Sequence, residues 1–144
     1  MKISTRGRYA LQALTTLAAS TGDEPRRLRD LAQEAGVPEG YLEQLFLQLK
    51  GAGLLSGQPG AGGGYRLARP AEAITAGDVL RAVESSFRLL DCLEDGCARQ
   101  DACVSRLLWQ GLQQEIDRVA DGVTLQALAA RCQAQGEEPP DYAI

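Results

Sequence analysis

Six residues, Pro59-Gly60-Ala61-Gly62-Gly63-Gly64, constrain the fold more than any other stretch of the chain. Four glycines in six positions leave too much backbone freedom for a helix. The stretch is therefore a loop, and the segments on either side, residues 54–58 and 65–67, read as two short strands. A lone two-strand unit is only marginally stable in water, so it must lean on what precedes it. The loop is not a phosphate cradle. Nucleotide-binding glycine loops open a helix, the P-loop through Gly-Lys-Ser/Thr, whereas Tyr65-Arg66-Leu67 continues as strand.

What precedes it is helical. Ser4 or Thr5 can cap a helix reaching about residue 19, with Tyr9, Leu11, Leu14, Leu17 and Ala18 as its apolar stripe. Thr21-Gly22-Asp23-Glu24-Pro25 breaks it, and a short helix follows over residues 28–35. Gly36-Val37-Pro38 then makes a tight turn, with Gly36 free to take positive φ. A third helix opens near Pro38, buries Leu42, Leu45, Phe46 and Leu49, and ends at residues 51–53. Ala32 is small enough for the two helices to approach, and Val37 can plug the corner. Two helices on a short turn, then strand, glycine loop and strand, is the layout of a winged helix-turn-helix. The face at Glu39, Gly40, Glu43, Gln44 and Gln48 could then enter a DNA major groove. The plainer alternative is an αα-hairpin that happens to sit beside a β-hairpin.

The second half reads differently. Thr75-x-x-Asp78 is a capping box that opens a helix to about residue 84. Residues 88–103 have no periodicity and hold three of the four cysteines. Val104, Leu108, Leu112, Ile116 and Val119 recur at helical spacing, so a long amphipathic helix spans about 104–120. Leu107 and Trp109 lie off that stripe, which leaves apolar surface for a second copy of the chain and predicts a homodimer. Thr124 caps a last short helix to about Cys132, and residues 133–144 read as a loose tail. The expected architecture is mainly α. Residues 1–70 form a winged helix-turn-helix with a two-stranded wing, 71–132 hold the cysteine loop and a long dimerisation helix, and 133–144 trail.

Charge and composition narrow the function. The net charge is −4, but residues 1–70 carry +3 and residues 71–144 carry −7. A basic first half suits a polyanion such as DNA. The chain contains no histidine, which removes serine and cysteine catalytic triads and any zinc site needing an imidazole from this chain. No paired carboxylates mark a site for acid–base chemistry, so an enzyme is not expected. The start, Met1-Lys2-Ile3-Ser4-Thr5-Arg6, lacks a signal-peptide core, and no apolar run reaches the roughly eighteen residues a membrane span needs. The expected location is the cytoplasm, with no membrane partner. There, Cys92-x4-Cys97-x5-Cys103 suits thiolate ligation of an iron–sulfur cluster or zinc; free thiols in a surface loop are the alternative.

Four segments together resemble the Rrf-two (Rrf2) family of bacterial transcription regulators. They are residues 1–10, Tyr41-Leu42-Glu43-Gln44-Leu45, Gly62-Gly63-Gly64-Tyr65 and Ile74-Thr75-Ala76-Gly77-Asp78. The resemblance covers about residues 1–131. It implies a homodimer on double-stranded DNA with a pseudo-palindromic operator. It implies Tyr41, Glu43 and Gln44 as recognition-helix residues, with Glu43 accepting from a cytosine N4 amine. Ser4, Thr5 and Arg6 match the family's phosphate-contacting end, and Arg8 adds a cation there. Relatives usually carry arginine just before the wing glycines; Pro59 stands there, and Arg66 is the substitute for the minor groove. The IscR-like, cluster-bearing branch implies Cys92, Cys97 and Cys103 as ligands, a [2Fe–2S] cluster being favoured and zinc or no metal the alternatives. That branch would place a histidine where Arg106 stands, and NsrR-like relatives a partner acid near Arg8. The fourth ligand thus stays open among Cys132, Asp91, Glu94, Asp95, Asp101 and an exogenous group. The CymR-like branch lacks the cysteine triad, yet residues 74–84 are similar to it. It implies a metal-free repressor controlled by a regulatory protein partner or by thiol oxidation.

Overall fold

The computed structural model describes residues 2–22, 24–93 and 97–137. Helix α1 (Thr5–Ala19) is the central post. Its buried side chains are mostly small, Gly7, Ala10 and Ala13 beside Leu14 and Leu17, so neighbours approach from several sides. Helices α2 (Leu28–Ala35) and α3 (Glu39–Gly51) pack on one side. Helix α4 (Ala76–Val83) and helix α6 (Leu125–Glu137) pack on others. The main core joins Leu14, Leu31, Leu42, Phe46, Ile74 and Leu125, residues from both halves of the chain.

Strands β1 (Leu55–Gln58) and β2 (Gly64–Leu67) pair antiparallel as the wing, with Leu55 opposite Leu67 and Gln58 opposite Gly64. Phe46 of α3 meets the Tyr65 ring edge-on at 4.9 Å and fastens the wing to the core. A third segment adds to it: Arg26 exchanges both backbone hydrogen bonds with Tyr65, at 2.8 and 2.7 Å. Two glycines make this possible. A Cβ at Gly64, whose φ is +153°, would collide with the Arg26 carbonyl, and one at Gly63 would strike the carbonyl of Gln58.

Helix α5 (Arg106–Gly122) docks on α4 through a small second core of Leu80, Phe87 and Ala120, with Ile116 beside it. The anticipated helix start at 104 moves to Arg106, because Cys103 through Ser105 turn into the helix. Of the anticipated stripe only Ile116 reaches the docking face; the rest of it, with Leu107 beside it, is uncovered. Val104 is 99% exposed, Leu107 83% and Leu108 56%, and Leu112 and Val119 are exposed too. The docking face carries the buried Gln113 instead, at 4% exposure. The last helix is also longer than anticipated. It runs to Glu137, because alanine and glutamine after Cys132 favour helix and Gln133 reaches back to the Ala19 carbonyl at 3.3 Å. Among the described residues no helix is long and apolar enough to cross a membrane.

Candidate nucleic-acid interface and cysteine loop

The turn between α2 and α3 is built as its sequence demands. Gly36 sits at φ 67°, ψ 32°, the left-handed region, and Val37 is buried in the corner. The turn holds α3 with Glu39, Gly40, Glu43, Gln44, Leu47 and Gln48 on its open side. Exposed Leu47 was not anticipated there. Leu45 and Leu49 are buried, and each stands two places, about 200° round the helix, from Leu47, so the 3.6-residue period was the signal that turns it outward.

Several site residues come together around α3. Arg6 on α1 donates through Nη2 to Gln48 Oε1 at 2.7 Å. Arg6, Tyr41, Gln44, Leu47 and Gln48 border one cleft of about 440 Å³. Tyr41 is half-buried, its ring edge-on to Tyr9 at 5.6 Å, so α1 fixes its orientation. Arg8 is exposed on the same helix and donates to Thr5 Oγ1 at 3.3 Å. Ser4 occupies the N-cap of α1, but its hydroxyl does not cap the helix. The hydroxyl and the Ser4 N–H both donate to Glu84 Oε1, each at 2.9 Å. Glu84 lies at the end of α4, where the chain leaves for the cysteine loop. A Cβ at Gly7 would collide with the same carboxylate oxygen.

Arg66 stands apart from this group. It pairs with Ser56 in the third register position from the glycine loop, half-buried. The cation at the tip of the wing is Arg27, whose Nη2 donates to the Ala61 carbonyl at 2.8 Å. Those residues lie 34 positions apart, so no local pattern could pair them.

The cysteine loop is rooted by α5. Gln113 Oε1 accepts the Leu89 N–H at 2.6 Å, and Gln113 Nε2 donates to the Phe87 carbonyl and to Asp117 Oδ1, each at 3.2 Å. Arg81 of α4 bridges to Asp121 and Asp117 of α5 at 2.6 and 2.9 Å and lies over the Phe87 ring. The hydrogen bond from Arg81 holds the Asp121 carboxyl below the usual carboxylate range. Past this root, Cys92 sits in a 3-10 turn, Asp91–Leu93. Cys92 and Cys97 are half-buried, and Cys103 is exposed. Cys132 lies on α6, bordering a cleft with Thr16, Ser20, Arg26 and Glu34. Glu94 and Asp95 fall outside the described residues.

Cys103 has a distinct environment. Its Sγ lies 3.6 Å from Ser105 Oγ, and that oxygen accepts the Trp109 Nε1–H at 2.9 Å. With an acceptor site taken by the indole, the Ser105 proton is free to point at sulfur. That hydrogen bond, helped by the nearby Arg106 cation, lowers the Cys103 pKa and favours thiolate. The donor chemistry of the loop therefore fits a soft metal or cluster. The geometry is less complete: among the described residues no three Cys, Asp or Glu side chains converge as ligands must.

Comparison with known proteins bears on both halves of this site. The sequence model of the Rrf2 family, described as an iron-dependent transcriptional regulator, matches residues 3–131. The chain is 39% identical over 137 residues to the transcriptional regulator CymR of Bacillus subtilis, covering 95% of this chain and 96% of that protein. It is 36% identical over 129 residues to the regulator IscR of Yersinia enterocolitica, covering 89% and 79%. The solved structure of B. subtilis CymR, named there the global cysteine regulator, superposes with a TM-score of 0.76 at 39% identity over 91% of this chain and 98% of that one. T. potens IscR gives a TM-score of 0.76 at 33% identity over 99% and 95%.

Proposed function

Because the chain belongs to the Rrf2 family of transcriptional regulators, we propose that it is a homodimer whose grip on a pseudo-palindromic operator is tuned by an iron–sulfur cluster on Cys92, Cys97 and Cys103. That it regulates transcription by binding DNA, and is not an enzyme, follows from the family itself. The two-fold arrangement is supported by the uncovered apolar face of α5. Reading is assigned to Glu43 and Gln44, with Tyr41 held against Tyr9. Backbone attraction comes from Thr5, Arg6 and Arg8, with Ser4 positioning the start of α1. Arg66 is kept for the minor groove only at the inner end of the wing.

The observation that carries the cluster reading is three closely spaced cysteines at a loop physically joined to the reading helix. The loop leaves from Glu84, Glu84 holds Ser4 at 2.9 Å, and two residues on Arg6 holds Gln48 of α3 at 2.7 Å. When bound, a cluster supplies a redox-sensitive cross-link within that loop. It changes operator affinity only by favouring one arrangement of this path over another. The three thiol ligands named would be completed by a fourth from Cys132, a loop carboxylate or an exogenous group.

A second reading has its own support. The thiols do not converge among the described residues, Cys103 is exposed and thiolate-favoured, and CymR is as similar as IscR. Under it, no metal binds, and oxidation of the loop or a regulatory protein partner sets DNA affinity. One experiment separates the two. Protein purified without oxygen should show visible absorbance that the C92A/C97A/C103A variant loses, together with a changed operator affinity. Colourless protein that cannot be reconstituted with iron and sulfide, and whose triple variant binds DNA unchanged, refutes the cluster and leaves the metal-free regulator.

A further inference from the structure

Neither the core nor the side chains assigned to DNA include Leu47, which is 63% exposed on α3. The other large apolar side chains exposed among the described residues are Leu90, beside the cysteine loop, and those on α5 or just before it. A lone exposed leucine on an ordinary surface carries no meaning. The place of Leu47 on this helix gives it one.

Helix geometry fixes that place. With about 100° and 1.5 Å per residue, Leu47 lies about 40° round the axis from Glu43 and about 60° from Gln44, on the side between them. It stands about 6 Å further along than Glu43. Gly40 falls close to the same line, nearer the start of α3, with open space where a Cβ would be. A surface laid on Glu43 and Gln44 therefore meets Leu47 as well. Leu47 also borders the cleft shared by Arg6, Tyr41 and Gln48, where it offers neither charge nor hydrogen bond.

A DNA major groove has one methyl group to offer such a side chain. Every base pair presents donors and acceptors there, and thymine adds its C5 methyl. A rise of about 6 Å along α3 spans about two base-pair steps of roughly 3.4 Å.

We infer that Leu47 is a specificity residue, packing on the C5 methyl of a thymine one or two base pairs from the pair that Glu43 reads. The inference rests on α3 being the reading helix and is independent of the cluster. Burying one methyl-sized group contributes about 0.8 kcal/mol, which is about fourfold in affinity for each half-site.

The test uses the full-length protein and the duplex that it selects from a random operator library. Each thymine is replaced in turn, symmetrically in both half-sites, by uracil, which pairs identically and lacks only the methyl. Fluorescence anisotropy reads the affinities. Wild-type protein should lose about fourfold per half-site at one thymine position. That position should lie one or two steps from the pair whose preference Glu43→Ala changes. Leu47→Ala alters an exposed side chain and should bind the thymine and uracil duplexes alike at that position. Leu47→Met keeps an apolar reach and should restore the difference. The inference is overturned if no uracil weakens wild-type binding, or if Leu47→Ala keeps the full thymine–uracil difference. Should Glu43→Ala still change operator preference in that case, the reading helix stands and only the role of Leu47 falls. Should Glu43→Ala change nothing either, α3 is not the reading helix and both assignments fall.

Discussion

Replacing Gln113 with alanine should cost the protein about 2–4 kcal/mol, a magnitude that follows from what the side chain holds. Gln113 is 4% exposed and is the one buried polar side chain in the described core. Its loss strands the Leu89 N–H, now at 2.6 Å from Oε1, and the Phe87 carbonyl, now at 3.2 Å from Nε2. Each buried group left without a partner costs about 1–3 kcal/mol, a figure that already contains its lost hydrogen bond, so the two give about 2–6 kcal/mol. The bond to Asp117 adds little, because Arg81 still holds that carboxylate at 2.9 Å. Water entering beside Leu89 would recover part of the penalty and bring the sum toward the lower end. Urea unfolding at two protein concentrations measures the change with subunit association accounted for. Hydrogen exchange at Leu89 should lose its protection in the same variant. The exposed neighbour Gln114, changed to alanine, should stay within about 0.5 kcal/mol of wild type. If Gln113→Ala also stayed within that limit, or left Leu89 protected, the idea that α5 roots the cysteine loop through this side chain would be wrong.

Other predictions concern the DNA face, the partner face and the thiol. Glu43→Ala should alter operator preference by about 1–3 kcal/mol at one base pair, whereas Arg6→Ala should weaken all sequences alike and lower the salt slope by about one; selection from a random operator library reads both. Leu108→Glu places a charge on the uncovered face of α5 and should yield monomers by light scattering, with the far-ultraviolet spectrum unchanged. Cys103 titrates below the ordinary thiol value because of Ser105, so its thiolate fraction at neutral pH is raised. Ser105→Ala removes that hydrogen bond, shifts the alkylation-rate profile to higher pH and slows iodoacetamide labelling of Cys103 at pH 7, followed by peptide mass spectrometry.

Local chemistry was legible in the sequence where one residue type had one physical use. Gly36 is left-handed at the end of α2, and Thr75 and Asp78 exchange both bonds of the capping box, at 3.1 and 3.0 Å. The recognition helix and the wing followed from such signals. What a face meets was less legible. Periodicity finds the stripe on α5 but not which body it turns to: Ile116 docks with Gln113 and Ala120, while Val104, Leu108, Leu112 and Val119 turn outward. The candidate site shows the same division. Glu43 and Gln44 sit on the open side of α3 as their spacing implies. The contacts of Arg6 with Gln48, Arg27 with Ala61 and Ser4 with Glu84 join residues 34 to 80 positions apart, and only the folded chain brings them together.

The Glu84 carboxylate has a consequence for anyone exchanging parts between such regulators. One oxygen takes two hydrogen bonds from Ser4 and fills the space a side chain at position 7 would need. Ser4, Gly7 and Glu84 thus form one structural unit, although the sequence scatters them. A cysteine loop grafted with its own α4 onto a foreign helix-turn-helix brings along the carboxylate but not its seat. An alanine at position 7 would turn the carboxylate out of its seat on Ser4, and a residue at position 4 without a hydroxyl would take away one of its two donors. Were the loop to tune operator binding as proposed, such a chimaera would fold and bind its operator while being deaf to its own loop. Restoring serine and glycine at those two positions is what would make the transplanted part audible again.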